Sequence, residues 1–201
     1  MKTEHLLIMR FTALGEVAML VPVVSSLAQQ YPELRITVLS NPFARPLFEG
    51  IAHNVGFMAA DLNGEYHGVK GLNALYRRLV AKNFTAIADM QSILRSSYLR
   101  MRFNISSYRV EHLDNHRQDR RKLVATKDKC LRQLPSLFDD YIDVLARLGY
   151  NVRLDFQSLF PPTGGNLRLV SDRIGEKKMF QQWIGIAPFA AFRGKVYPAQ
   201  L

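Results

Sequence analysis

Residues 6–39 have the sequence LLIMRFTALGEVAMLVPVVSSLAQQYPELRITVL, in which two short apolar runs flank a longer amphipathic segment. The run before Arg10 and the run from Arg35 to Leu39 are apolar on both faces, which is typical of strands buried in a parallel sheet. Between them, from Val17 to Ala28, apolar residues recur at the 3.6-residue spacing of a helix. The segment therefore predicts a strand, a helix and a second strand, with a kink or a late helix start at Pro22.

The same alternation continues toward residue 150. Further strands are predicted at residues 55–59, 84–89 and 108–111, and helices at residues 42–49, 72–80, 93–103 and 134–148. Strands that alternate with helices favour an α/β fold, a Rossmann-like doubly wound parallel sheet with helices on both faces. We expect this domain to occupy residues 1–160.

The chain changes character after this domain. Pro161-Pro162-Thr163-Gly164-Gly165 can form no regular element, so it predicts a linker over residues 161–166. Residues 167–180 then show a helical pattern, and residues 183–187 have the pattern of a strand. Because one helix and one strand cannot enclose a core, residues 167–201 are expected to be the beginning of an incomplete second domain.

Composition narrows the class of protein. The 201 residues include 27 Lys and Arg against 17 Asp and Glu, a formal net charge of +10, and 48% are hydrophobic, which is typical of a globular chain. No stretch approaches the ~20 apolar residues of a membrane span. A single cysteine, Cys130, excludes an internal disulfide. The excess of cations indicates an acidic partner, such as nucleic acid, an anionic lipid surface or a phosphorylated substrate.

The turn after the first strand is the first candidate for a site, because open α/β sheets bind ligands at the carboxyl ends of their strands. It reads Arg10-Phe11-Thr12-Ala13-Leu14-Gly15-Glu16 and contains neither a GxGxxG fingerprint nor a P-loop. It places a cation at the strand end and a carboxylate at the helix start. Taken alone, Glu16 is best interpreted as an acid that complements the helix dipole.

Three segments, in order, resemble glycosyltransferase family 9, the ADP-heptose:lipopolysaccharide heptosyltransferases. Residues 6–39 are similar to the family's first strand, its (K/R)-x-(S/T)-x-(L/M)-G-D turn and a helix with a proline in its second turn. Ala88-Asp89-Met90-Gln91-Ser92-Ile93-Leu94-Arg95-Ser96 resembles the D-x-Q segment after the fourth strand. Ile184-Gly185-Ile186-Ala187-Pro188, followed by Lys195-Val196-Tyr197-Pro198, resembles the first strand and the K-x-(W/Y)-P signature of the second domain.

The resemblance implies the N-terminal half of a GT-B fold. Residues 1–160 would bind the acceptor, and residues 167–201 would begin the domain that binds the nucleotide sugar. The implied reaction is an inverting transfer from ADP-heptose to the lipopolysaccharide core, without metal or other cofactor. It also implies a cytoplasmic protein with peripheral contact at the inner face of the membrane, and it makes nucleic acid an unexpected partner.

The resemblance also assigns site residues. Glu16 takes the position of the family's aspartate base, with one more methylene. The acceptor contacts are expected from Arg10, Thr12, Gly15, Gln91, Arg95, Arg117, Arg120 and Arg121. Lys195 matches the lysine that contacts the donor phosphates, and Ala190 and Ala191 lie in the turn before it, where Phe189-Ala190-Ala191 replaces a Gly-Ala-Ser-like sequence.

Several alternatives stay open from sequence alone. Residues 117–132 contain seven cations and two acids, a net charge of +5, and form either a solvated loop or a clamp for an acidic acceptor. His112 and His116 have the spacing of metal ligands, but without an evident third ligand we expect no metal. The alternative function is a truncated or degenerate non-catalytic module that binds an acidic glycan, nucleic acid or an anionic membrane. A reading frame that continues with a second domain would favour the enzyme.

Overall fold

Five parallel strands form the central sheet, in the order β3-β2-β1-β4-β5. The computed structural model describes residues 4–159, 167–169, 171–175, 178–186, 190 and 192–196, and it divides into a unit at Met1–Leu159 and a unit at Phe160–Leu201. The sheet belongs to the first unit. Its strands are β1 (His5–Met9), β2 (Arg35–Ser40), β3 (Val55–Ala59), β4 (Ala86–Asp89) and β5 (Arg109–His112).

The helices alternate with the strands as expected. They are α1 (Leu14–Ala18), α2 (Leu20–Gln30), α3 (Gly68–Val80), α4 (Leu94–Ile105), α5 (Arg117–Val124) and α6 (Leu137–Arg147). The element predicted at residues 42–49 is a 3-10 helix, Pro42–Leu47, capped by the Asn41 side chain. Residues 117–124 of the basic region form α5. None of the helices in the described ranges has the length and apolar character that a membrane span requires.

The predicted interruption near Pro22 is confirmed. The helical segment divides at Met19 into α1 and α2. Proline has no backbone N–H, so Pro22 cannot donate to the carbonyl of Ala18 four residues earlier, and the break falls in the turn that loses this bond. Glu16 therefore lies in a short helix of its own.

Alternate residues of β1 enter two separate cores, as a sheet covered on both faces requires. Leu6 and Ile8 pack with α2 and α6, whereas Leu7 and Met9 pack with α3 and α4. All four side chains are fully buried, and each contributes about 1.5–3 kcal/mol of hydrophobic burial. The doubly wound α/β fold predicted from the sequence is confirmed.

After α6 the chain runs extended along α2. Arg153 exchanges two hydrogen bonds with the Gln30 side chain: its N–H donates to Oε1 at 3.0 Å, and its carbonyl accepts from Nε2 at 2.6 Å. The N–H of Asp155 donates to Ser26 Oγ at 2.9 Å. This segment ties the end of the first unit to its second helix.

The second unit does not show the elements that we predicted for it. The predicted helix at residues 167–180 is wrong for the described part, which has a 3-10 helix at Leu167–Leu169 and a turn at Asp172 and Arg173. The predicted strand is also wrong for residues 183–186, because a strand requires a hydrogen-bonding neighbour and the described residues of this unit include none. The predicted linker at residues 161–166 lies outside the described residues.

Candidate functional site

The carboxyl ends of β1 and β4 lie side by side and bring two of the predicted segments together. Met9 pairs with Asp89 in the parallel register. The turn that leaves β1 therefore begins next to the residues that follow β4, and the N–H of Met90 donates to the carbonyl of Met9 at 3.0 Å. Arg10, Thr12, Gly15, Glu16 and Gln91 occupy this edge of the sheet.

Arg10 is 4% exposed and directs its guanidinium toward Glu16. One terminal nitrogen, Nη2, donates to the Glu16 carboxylate, and the other, Nη1, donates to the carbonyl of Met90. The guanidinium carbon also lies 5.6 Å from the centre of the Tyr141 ring. These contacts make Arg10 a residue that positions Glu16, and a direct contact with an acceptor stays a prediction.

The Glu16 carboxylate uses only one of its oxygens for these contacts. Oε2 accepts from Arg10 and also from the N–H of Ala13, at 3.1 Å. No hydrogen bond from the described residues reaches Oε1, and the side chain is 49% exposed. The carboxylate thus caps its own short helix with one oxygen and leaves the other available at the mouth of the sheet.

Tyr141 of α6 supports the same position through the core that it shares with α1. Its ring is fully buried, and its hydroxyl donates to the backbone carbonyl of Glu16 at 2.9 Å. Burial raises the pKa of the phenol well above its usual value, so the hydroxyl stays protonated as a donor. For Tyr141, sequence analysis predicted only the apolar-periodic helix at residues 134–148 in which it lies. The available signal was that a tyrosine hydroxyl in such a helix needs a hydrogen-bond partner.

Gln91 holds the turn between β1 and α1. Its Oε1 accepts from the N–H of Phe11 at 2.8 Å, and its Nε2 donates to the carbonyl of Thr12 at 3.0 Å and to the Thr12 hydroxyl. The peptide bond between Thr12 and Ala13 is cis. Two of the predicted site residues, Thr12 and Gln91, are therefore brought together, with Gln91 buried. Beside them, a Cβ added to Gly15 would meet no atom within 4 Å, so the turn is open above that position.

Two residues that were not among the predicted site residues organise the start of the next loop: Asp89, the aspartate of the D-x-Q segment, and Arg100. Asp89 Oδ1 accepts from the N–H groups of Gln91 and Ser92, at 3.1 and 3.0 Å. Its other oxygen accepts from Arg100 at 3.3 Å, and the carboxylate is fully buried. An acid at the end of an apolar strand was the signal in the sequence. These bonds fix the backbone from which Gln91 reaches the first turn.

The remaining predicted acceptor residues lie outside this cluster. Arg95 donates through Nη1 to the carbonyl of Leu62 and to Asn63 Oδ1, at 3.1 and 2.7 Å, in the loop after β3. Arg117, Arg120 and Arg121 lie at helical spacings of three and four on α5. Their side chains are exposed and form no ion pair with any residue that the structure describes.

α5 is attached to α6 by one histidine. His116 precedes α5, and its Nε2 lies 2.8 Å from Asp140 Oδ1 on α6. This hydrogen bond raises the pKa of His116 above its ordinary value, and the nearby Asp114 and Asp119 act in the same direction. The described residues include no group of three His, Cys, Asp or Glu side chains that could hold a metal ion.

A groove of about 960 Å³ lies beside the cluster, at the carboxyl ends of β4 and β5. It is lined largely by polar side chains, among them Ser92, Arg100, Asn115 and Arg117. Asn115 also donates to the backbone carbonyls of Gln91 and Ser92, at 3.3 and 3.2 Å. The groove therefore adjoins the backbone of Gln91 through Asn115. It offers hydrogen-bond donors and acceptors of the kind that bind sugar hydroxyls.

In the second unit, Lys195 ends a 3-10 helix, Arg193–Lys195. Its side chain is exposed, and its Nζ lies 5.6 Å from the centre of the Phe192 ring. Ala190 is also exposed, and Ala191 lies outside the described residues. Their part in donor binding stays a prediction.

Comparison with known proteins gives matches in structure only. No family model and no curated protein matches the sequence. The family 9 glycosyl transferase of Veillonella parvula DSM 2008 matches with a TM-score of 0.55 and 18% identity, over 79% of this chain and 47% of that one. E. coli heptosyltransferase WaaC with ADP-2-deoxy-2-fluoro heptose matches with a TM-score of 0.54 and 15% identity, over 77% of this chain and 51% of that one. The complex of the same enzyme with ADP matches with a TM-score of 0.52 and 16% identity, over 77% of this chain and 50% of that one.

The chain spans about half the length of these solved structures. At identities below a fifth, the likeness concerns the fold. The resemblance expected from three short motifs is thus found again in three dimensions, in structures of family 9 and of a heptosyltransferase. The first unit has the Rossmann-like α/β architecture of GT-B glycosyltransferases.

Proposed function

We propose that this chain is the acceptor half of a family 9 glycosyltransferase, which transfers heptose from ADP-heptose to a hydroxyl of the lipopolysaccharide core with inversion. The observation that carries the proposal is the Glu16 carboxylate, which Arg10 and the Ala13 N–H hold through one oxygen. Its other oxygen is free of the described hydrogen bonds at the edge where α/β sheets bind ligands. A fixed carboxylate with one open oxygen suits a general base.

In the proposed reaction, Glu16 takes the proton of the acceptor hydroxyl. The hydroxyl oxygen attacks the anomeric carbon of the donor, and the bond from that carbon to the diphosphate oxygen breaks on the opposite face. The electron pair leaves with the nucleoside diphosphate, and Lys195 would offset the charge that develops there. No proton or bond transfer is assigned to Arg10, Tyr141 or Gln91, because the contacts of these residues keep the Glu16 turn in place.

The acceptor proposal rests on charge and polarity. The groove that adjoins Gln91 supplies hydrogen-bonding groups for sugar hydroxyls. Arg117, Arg120 and Arg121 supply exposed positive charge on α5, which suits the phosphorylated sugars of a lipopolysaccharide core. Such an acceptor is carried by a lipid, so we place the reaction in the cytoplasm, with peripheral contact at the inner face of the membrane. We assign no role to nucleic acid, metal or another cofactor.

A non-catalytic module that binds an acidic glycan or an anionic membrane is the second candidate. The observation that favours it is that the arginines of α5 can bind an anion without any chemistry at Glu16. Under this proposal, Glu16 serves only its own helix and Arg10, to both of which its Oε2 is already bonded.

The experiment that separates the two candidates is Glu16→Gln in the protein with its complete second domain. The amide keeps the size of the side chain but cannot take a proton, so the single-turnover rate should fall about 10²-fold or more while donor affinity is retained. Glu16→Asp should keep activity. Glu33→Gln, an exposed acid before β2, is the matched control.

Stability is measured on the same preparations. If Glu16 serves only the helix dipole, its neutralisation should lower the free energy of unfolding by about 0.3–1 kcal/mol and leave the rate of transfer unchanged. A Glu16→Gln variant with a rate near that of the unmodified protein removes Glu16 as the base. Absence of transfer with any donor, together with retained glycan binding, would favour the non-catalytic module.

A further inference from the structure

A second cluster of cations lies along the edge strand β3, away from Glu16. One hollow of about 280 Å³ is lined by Arg35 at the start of β2, Arg45 in the 3-10 helix, Arg78 in the last turn of α3 and Lys82 just after that helix. No carboxylate lies among the described residues that line it. His5 and Arg35, which line the hollow, are the first residues of β1 and β2, whereas Glu16 follows the carboxyl end of β1, so this hollow is not part of the Glu16 cluster.

The charge of the hollow arises from an acid-free stretch of sequence. Between Glu65 and Asp89 the chain contains no acidic residue, whereas it contains Lys70, Arg77, Arg78 and Lys82. Arg78 lies in the last turn of α3 and Lys82 lies two residues after the end of that helix, and both line the hollow. The sequence therefore directs two cations to the hollow and provides no internal counter-ion for them.

Three of the four cations have no acidic partner in the described part of the chain. Arg78 donates to the Tyr66 hydroxyl at 2.6 Å, which is a neutral contact. Arg45 lies 3.7 Å from Glu49, but both side chains are about half exposed or more, and such a pair is weak. Like charges held around one hollow repel each other, and a bound anion would remove that repulsion.

The pKa of His5, which lines the hollow, responds to the positive charges around it. The ring is buried, its Nδ1 lies 3.1 Å from the carbonyl of Lys82, and its Nε2 lies 2.9 Å from the Thr37 hydroxyl. A carbonyl only accepts, so Nδ1 carries the proton and Nε2 of the neutral ring accepts from Thr37. Burial lowers the pKa of His5, and the charges of Arg35 and Lys82 lower it further. Two cations from different elements thus act on one ring in the wall of the hollow.

We propose that this hollow binds a phosphate or diphosphate group. Guanidinium groups donate in pairs to phosphate oxygens, and the hollow holds three of them together with a lysine. Its volume equals that of roughly nine water molecules, which accommodates a diphosphate while the rest of a larger ligand extends into solvent. The site is independent of the proposed sugar transfer, and no residue of the Glu16 cluster lines it.

Pyrophosphate is the probe, titrated into the 201-residue chain while sodium chloride keeps the ionic strength constant. The expected results are saturable binding by calorimetry, a higher melting temperature, and an upward shift of the His5 pKa in an NMR titration, because the anion offsets Arg35 and Lys82. Arg78→Ala should weaken binding by about tenfold or more. Arg77→Ala, the exposed neighbour that does not line the hollow, should bind like the unmodified chain.

Lys82→Met is a second variant, because it removes the charge and keeps the apolar stem even if Arg78→Ala destabilises α3. Equal effects of pyrophosphate and chloride at matched ionic strength would overturn the proposal, as would equal losses in the Arg77 and Arg78 variants. Vesicles of phosphatidylcholine with and without phosphatidic acid identify the source of the phosphate. Binding to the acidic vesicles that pyrophosphate displaces and Arg78→Ala abolishes indicates a lipid headgroup, and binding of pyrophosphate alone indicates a soluble ligand.

Discussion

Arg10 places a positive charge in the interior beside the carboxyl ends of β1 and β4. A buried charge is tolerated only when the protein supplies partners for it. Here the partners are the Glu16 carboxylate, the carbonyl of Met90 and the face of the Tyr141 ring. The two hydrogen bonds leave from different nitrogens of one planar group, so they require an arginine.

Arg10→Lys should therefore destabilise the fold although it keeps the charge. One ammonium cannot reach Glu16 and the Met90 carbonyl in the geometry of the fork, so a buried group loses its partner, at a cost of about 1–3 kcal/mol. Arg95→Lys is the matched control, because Arg95 makes both of its bonds through a single nitrogen. Urea unfolding measures both variants, and equal losses would contradict the bridging role of Arg10.

Gln91 depends on having a donor and an acceptor on one side chain. Gln91→Glu keeps the shape, and one oxygen of the new carboxylate can still accept from the N–H of Phe11. Its other oxygen would face the carbonyl of Thr12, so a donor is lost and two acceptors meet. We expect a loss of about 1–3 kcal/mol in the free energy of unfolding at pH 7. The same change at the exposed Gln133 should be nearly neutral.

Site residues that directly follow a strand are easier to predict from the sequence than site residues that reach the site only through the packing of helices. Glu16 and Gln91 follow neighbouring strands, and parallel strands end at one edge, so their proximity follows from topology. Tyr141 reaches Glu16 from a position 125 residues later in the chain, and only the packing of α6 on α2 brings it there. Among the described residues after 166, the predicted strand at residues 183–186 does not form, because an apolar pattern describes a single element, whereas a strand also requires a neighbour.

At the scale of elements, the contact between α5 and α6 should depend on pH. The hydrogen bond that His116 donates to the Asp140 carboxylate raises the pKa of the ring above 6.5 in the folded protein. The charged form is thus favoured by folding, so its contribution is fully present below pH 6.5 and is lost as the pH rises through the raised pKa. The arginines of α5 should therefore be held more firmly at pH 6 than at pH 8.

An NMR titration of the His116 ring checks this expectation. The pKa should lie above the ordinary value in the unmodified chain and should fall toward it in Asp140→Asn. Asp143→Asn, on the same helix and bonded to Arg147 instead, is the control and should leave His116 unchanged. A His116 pKa at or below 6.5 in the unmodified chain would show that the Asp140 contact does not hold the ring.

At the scale of the whole molecule, the first unit is closed by the extended segment that follows α6. Val152 is 7% exposed, and Arg153 and Asp155 bond to the side chains of Gln30 and Ser26 on α2. This segment covers the same core that supports Glu16 through Tyr141. The position at which the chain is shortened should therefore decide whether the unit keeps its stability.

Two truncations test this expectation as a matched pair. A chain of residues 1–159 keeps every contact of the segment with α2, and because a domain with its own core folds alone, it should unfold in one transition with the stability of the 201-residue chain. A chain of residues 1–150 loses the burial of Val152 and the hydrogen bonds to Gln30 and Ser26, which should cost about 2–4 kcal/mol. Urea unfolding, followed by circular dichroism, measures the free energy of unfolding of both fragments. Loss of the cooperative transition in the longer fragment would mean that the core of the first unit depends on residues after 159.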